Sequence, residues 1–242
     1  MWTVYTVTRV VNTVNMTTPP RTAYRHGDLP AALLAAGIEL ARLGGPEAVV
    51  LREATRRVGV SPNAAYRHFA DHRALLRSVC AVAMSQLARA MEAEQTTVPR
   101  ASPERKARLR LRAVGAGYLR YAREEPGLFR TAFSAAVELV DDGAARGSSG
   151  LTPFGLLNAA LDDLVTVGLL APERRPDAEL TAWSAVHGLS MLLIDGPLRH
   201  LDDAHADRVG QQLLDHVEAG LLAPPSRTRA GRSSARRSRA GS

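Results

Sequence analysis

Asn63, Tyr66, Arg67 and His68 fall within six consecutive residues of this 242-residue chain, and their chemistry suits one kind of target. Asn pairs in bidentate fashion with adenine in the major groove, Tyr and His donate to phosphate oxygens, and Arg can do either. Such a set reads DNA when one short, exposed helix presents it to the groove. Other chemistries find less support. There is no nucleophile with a suitably spaced base, no glycine-rich phosphate loop and no convincing metal-ligand set, so no enzyme and no cofactor is expected. His200, Asp202, Asp203, His205 and Asp207 are read as capping and solvation in an interhelical turn.

The elements needed to present the polar set can be read around it. Leu51, Ala54 or Thr55, and Val58 recur at helical spacing without Gly or Pro, which predicts a two-turn amphipathic helix. Gly59 supplies the left-handed C-terminus, and Val60 folds back on it. Ser61 then caps a new helix with Pro62 at its first position. This helix is expected over Pro62 to about Phe69, with Ala65 and Phe69 inward and Asn63, Ala64, Tyr66, Arg67 and His68 outward. Asp71 caps a third, longer helix whose Leu75, Leu76, Val79, Ala83 and Leu87 form one stripe. Upstream, Asp28 is read as the cap of a helix with Leu29, Leu33, Ala36, Leu40 and Leu43 inward, ended by Gly44 and Gly45.

The run GVSPNAAYRHFADHRALL, with LREATRRV and LPAALLAAGIELARLGG before it, resembles the N-terminal domain of the TetR family of bacterial transcriptional regulators. Over Tyr24 to about Ala83 the helix spacing matches without a gap. The resemblance implies phosphate contacts from Tyr66 and His68. His72 stands where the family usually has Lys, a residue that also contacts phosphate; a neutral imidazole is weaker there, and Arg73 is the alternative. Asn63 and Ala64 replace the usual Gly and Thr, which implies a base preference particular to this chain. The candidate DNA-binding residues are Arg56, Ser61, Pro62, Asn63, Ala64, Tyr66, Arg67, His68, His72 and Arg73.

Composition supports an all-α fold: 45% of residues are hydrophobic, Gly and Pro recur at candidate helix ends, and β-branched runs are scarce after residue 20. No run of eighteen apolar residues occurs, so no membrane span is expected. Cys80 is the only cysteine, which excludes an internal disulfide.

The net charge of +7 gathers at the ends. Residues 1–25 hold three Arg and residues 226–242 hold six, neither segment with an acid. The tail is too poor in large apolar residues to fold and is expected to be disordered. Residues 1–23 are read as a loose arm or as sequence upstream of a true start at Met16. Between these ends lie a helix-turn-helix domain over 24–83 and a helical ligand-binding and dimerisation domain over 84–225.

In that second domain, helices are expected from about Pro103 to Glu125, in PGLFRTAFS, from Pro153 to about Leu170, over Asp177 to Ile194 and over His205 to Leu222. Arg105, Lys106, Arg108, Arg110 and Arg112 form a basic run, which ordinarily marks a solvated face. Leu180, Trp183, His187, Met191 and Ile194 share one face, as do Val209, Leu213, Val217 and Leu221. Two such helices at the end of a helical domain commonly pair with their copies. WSAVHG resembles the Trp-His-Gly signature of one TetR group. Trp183 and His187 read either as packed core or as cavity lining, and the ligand candidates are Phe129, Phe133, Trp183, His187 and Met191.

The family resemblance implies a ligand-responsive regulator, a repressor by expectation, that binds a pseudopalindromic DNA operator as a cytoplasmic homodimer and answers to a small-molecule effector. The alternative is a nonspecific, nucleoid-type binder acting through its Arg-rich tail.

Overall fold

A computed structural model of the chain describes residues 28–134 and 143–223. Nine α-helices occur among them: α1 Leu29–Gly44, α2 Leu51–Val58, α3 Pro62–Tyr66, α4 His72–Thr96, α5 Pro103–Glu124, α6 Pro126–Ala132, α7 Pro153–Thr166, α8 Ala178–Ile194 and α9 Asp203–Leu222. The described residues contain no strand, and none of their helices is long and apolar enough to cross a membrane. The fold is therefore all-α, with an N-terminal helix-turn-helix formed by α1 to α3 and the start of α4. The expected arm and Arg-rich tail lie outside the described residues.

Local signals explain most of the helix starts. Pro occupies the first position of α3, α5, α6 and α7, where a missing N–H costs nothing. Ser102, Thr152 and Asp202 cap α5, α7 and α9 by accepting from backbone N–H groups three residues on. The sequence misjudges two details of α1. Asp28 sits at the cap position but makes no side-chain cap bond. Leu43, expected inside, is 75% exposed, and the buried face runs through Leu33, Gly37, Leu40 and Ala41 instead. Gly37 is buried because the helix crosses α4 there: a Cβ would press on Val79 and Leu75.

α4 is the spine. Its first turns pack on α1, and the helix goes on to meet α5, α6 and α7, so one uninterrupted element joins the helix-turn-helix to the rest. Its inward residues include Leu75, Val79, Ala83, Leu87 and Met91. Buried Cys80 donates to the Thr131 carbonyl of α6 at 3.0 Å.

Around this spine α5, α7, α8 and α9 form the second layer, and their inward faces differ from expectation. On α8 the buried residues are Ala178, Ala182, Val186, Leu189 and Ser190, while Leu180 is 45% exposed. On α9 Gly210, Leu214 and Glu218 are buried, and Val209, Leu213 and Val217 are only half-buried. Small residues let the axes approach, and the larger side chains flank the contact.

The basic run of α5 is not simply solvated. Arg108 and Arg112 both reach Glu218 of α9, Arg112 also binds Asp215 and Gln211, and Arg110 binds Asp163 of α7 at 2.6 Å. Similarly, Asp203 and Asp207 hold Arg123, so the acids of that turn are occupied as caps and ion-pair partners.

Candidate functional site

The two short helices at the N-terminal end are built to expose one polar face. Gly59 adopts φ 76° and ψ 31°, and the N–H groups of Gly59 and Val60 both bond to the Thr55 carbonyl, which closes α2 and turns the chain. Ser61 accepts from the Ala64 N–H at 3.4 Å, a long cap bond. α3 ends at Tyr66 rather than near Phe69, because the N–H groups of His68 and Phe69 both bond to the Ala65 carbonyl and tighten the last turn. Ala65 and Phe69 are buried and fix α3 against α1 and α2.

Ser61, Pro62, Asn63, Tyr66, Arg67 and His68 are exposed, and Ala64 is half-buried. Tyr66, at 56% exposed, spends a large aromatic ring on solvent. Asp71 caps α4 through a 2.7 Å bond from the Ala74 N–H, which places exposed His72 and Arg73 at that helix's first turn. Among the described residues Arg67 and Arg73 have no acidic partner, so their charge is free to meet an anion.

Arg56 behaves differently from the rest of the set. Glu53, one turn back on α2, accepts from its Nε at 2.8 Å and from its Nη2 at 2.7 Å, and accepts from Arg57 as well. The bonds from Arg56, and then those from Arg57, lower the Glu53 pKa to about 2. A depressed carboxyl keeps its charge at every pH above that value, so acidification through the ordinary range does not release Arg56. Glu53→Gln should therefore raise affinity for random-sequence duplex, about two- to tenfold at about 50 mM salt and less as salt increases. Fluorescence anisotropy across a salt series measures this; an unchanged affinity at low salt would mean that α2 lies away from the phosphates.

The second candidate site is a cavity of about 70 Å³ enclosed by α4, α5, α7, α8 and α9. Phe133 and Trp183 stand on its wall, together with Met84 and Met91 of α4 and Tyr118 of α5. The remaining ligand candidates sit elsewhere. Phe129 is fully buried behind Phe133, with ring centroids 5.1 Å apart. His187 packs edge-on against Phe133 at 4.8 Å, and Met191 lies one turn further along α8.

A polar relay crosses this aromatic cluster. The Trp183 indole N–H donates to the Tyr118 hydroxyl at 3.1 Å, and that hydroxyl lies 2.8 Å from His187 Nδ1. Burial pushes the tyrosine pKa up and the histidine pKa down, so both are neutral near pH 7. Tyr118 carried no signal in the sequence beyond one aromatic on a helix, since its partners are 65 and 69 residues away.

Comparison with known proteins agrees with this geometry. The family model described as bacterial regulatory proteins, tetR family, matches residues 33–79, and the one described as the tetracyclin repressor-like C-terminal domain matches 111–217. No curated protein matches the sequence. Among solved structures, a protein of unknown function from Rhodococcus sp. RHA1 is 23% identical with a TM-score of 0.66, over 83% of this chain and 99% of that one. The TetR Q116A variant of Acinetobacter baumannii AYE, solved with minocycline, is 22% identical with a TM-score of 0.52, over 78% and 94%. A TetR-family transcriptional regulator of Thermus thermophilus is 21% identical with a TM-score of 0.50, over 78% and 98%. At these identities the likeness is one of fold.

Proposed function

Because the chain belongs to the tetR family of bacterial regulatory proteins, we propose that it is a ligand-responsive repressor that binds a pseudopalindromic operator as a homodimer. The observation that carries this reading is the exposed polar face of α3 above a buried Ala65 and Phe69. Asn63 and Arg67 are assigned to base edges or phosphates, and Tyr66, His68, His72 and Arg73 to phosphates. Arg56 serves only where DNA competes it away from Glu53. The motif, over about residues 24–83, works as the DNA-binding domain, and the helices up to residue 225 as the ligand-binding and dimerisation domain.

Exposed Leu180 and Leu192 on α8, with half-buried Val209 and Leu213 on α9, favour pairing of these helices with a second copy. Two recognition helices then meet half-sites about 34–36 Å apart, or a multiple of that, along the duplex. Met84 and Met91 line the cavity on the same helix that begins beside the DNA-reading surface. A molecule that binds one tilt of α4 better than another thereby shifts the dimer toward or away from the DNA-competent spacing.

Footprinting of the upstream region of the chain's own gene, at about physiological salt to suppress nonspecific attraction, tests the reading. A discrete patch with two-fold symmetry is the expected result. Uniform coating that disappears when residues 226–242 are removed would replace it with a nonspecific binder held by six tail arginines.

A further inference from the structure

The shape and chemistry of the cavity limit what can occupy it, and this inference rests on the ligand-responsive reading above. Its wall is almost wholly apolar, and it presents aromatic rings from Phe133, Phe154 and Trp183. The two charged residues that touch it are committed to each other. Arg112 is bound by Glu218, Asp215 and Gln211, and Glu218 is bound by Arg108 as well. A charged ligand would have to break this network or leave its own charge unpaired in an apolar space, and both are costly.

The hydroxyl of the aromatic cluster is engaged within the protein: Tyr118 accepts from the Trp183 N–H and shares a hydrogen bond with His187 Nδ1. We propose that the cavity binds an uncharged, single-ring aromatic molecule held by apolar and ring contacts.

Size couples that ligand to the rest of the fold. A cavity that takes benzene measures about 150 Å³, twice the space present here, so a ring enters only as Met84 and Met91 move aside. Both are unbranched thioethers able to do so, and both belong to α4.

The test uses the full chain carrying Trp2→Phe, which leaves Trp183 as its one indole. Its emission is titrated with phenol, toluene, anisole and benzoate. Phenol, toluene and anisole should saturate, and benzoate should bind at least about 100-fold more weakly than phenol. Ala182→Leu, which fills the cavity with three carbons, should abolish all three neutral complexes. Benzoate binding as tightly as phenol would overturn the proposal, as would silence from every probe at its solubility limit. Operator binding is followed in parallel. A chain that binds its operator but no probe refutes the ligand class alone, and one that binds phenol without any change in DNA affinity refutes ligand control alone.

Discussion

Arg67→Ala should lower operator affinity at least about thirtyfold while leaving the thermal melt and the dimer unchanged. Arg67 is exposed at the C-terminal end of α3 and has no acidic partner among the described residues, so its removal disturbs no internal ion pair. A good side-chain contact to a base edge contributes about 1–3 kcal/mol, and a two-fold dimer loses it twice. The size of the loss also distinguishes two roles. If Arg67 reads a base, the fall should be large on the operator and small on random duplex; if it meets a phosphate, both should fall alike, and the salt dependence should become shallower by about one ion per half-site. Tyr66→Phe separates the neighbouring hydroxyl in the same way, with a smaller and sequence-independent loss expected. Operator affinity equal to that of the parent for either variant, measured by anisotropy, would remove that residue from the interface.

Gly117→Ala is expected to destabilise the second domain strongly for the addition of a single methyl group. A Cβ there would stand 2.6 Å from Met91 Cα and 2.8 Å from the Ala90 carbonyl oxygen, both backbone atoms of α4. Neither can rotate away, so α4 and α5 must separate along the most extensive helix contact among the described residues. Overpacking of this kind costs about 1–3 kcal/mol or more, and the better helix propensity of Ala returns at most about 1. A net loss of about 2 kcal/mol lowers the melting temperature of a chain this size by about 4–8 °C. Gly155→Ala on α7, away from the helices proposed to pair, is the control, since a Cβ there meets nothing closer than 3.4 Å. Its melt should hold or rise. An unchanged melt for Gly117→Ala would show that the α4–α5 crossing is looser than its geometry implies.

The DNA-reading motif was legible because its instructions are local. Gly59, Ser61, Pro62 and Asp71 each act within three or four residues, through a left-handed turn, a cap or a fixed φ, and the structure has a turn, a helix start and a cap where they stand. Punctuation by Pro103, Pro126 and Pro153 located three further helices for the same reason. What the sequence hid depends on distant partners. Glu218 is buried because Arg108 and Arg112, more than 100 residues earlier, satisfy it. The inward face of α8 is lined by Ala178, Ala182 and Ser190 where helices come close, so a search for large apolar residues selected Leu180, which faces out. The cavity wall draws on five helices, and no spacing along the chain records which residues converge.

The continuity of α4 sets a rule for any rearrangement of this protein. The boundary expected near residue 83 falls inside a helix that runs from His72 to Thr96, so the two modules share a single rigid shaft. One residue inserted between Ala83 and Met84 would rotate the DNA-reading end by about 100° and advance it about 1.5 Å relative to the cavity. Seven residues, close to two whole turns, would nearly restore its phase at the expense of about 10 Å of reach. Exchange of reading heads among such proteins is therefore constrained by angular register as well as by surface fit: a joint made out of phase would leave two sound modules whose half-sites no straight duplex could present.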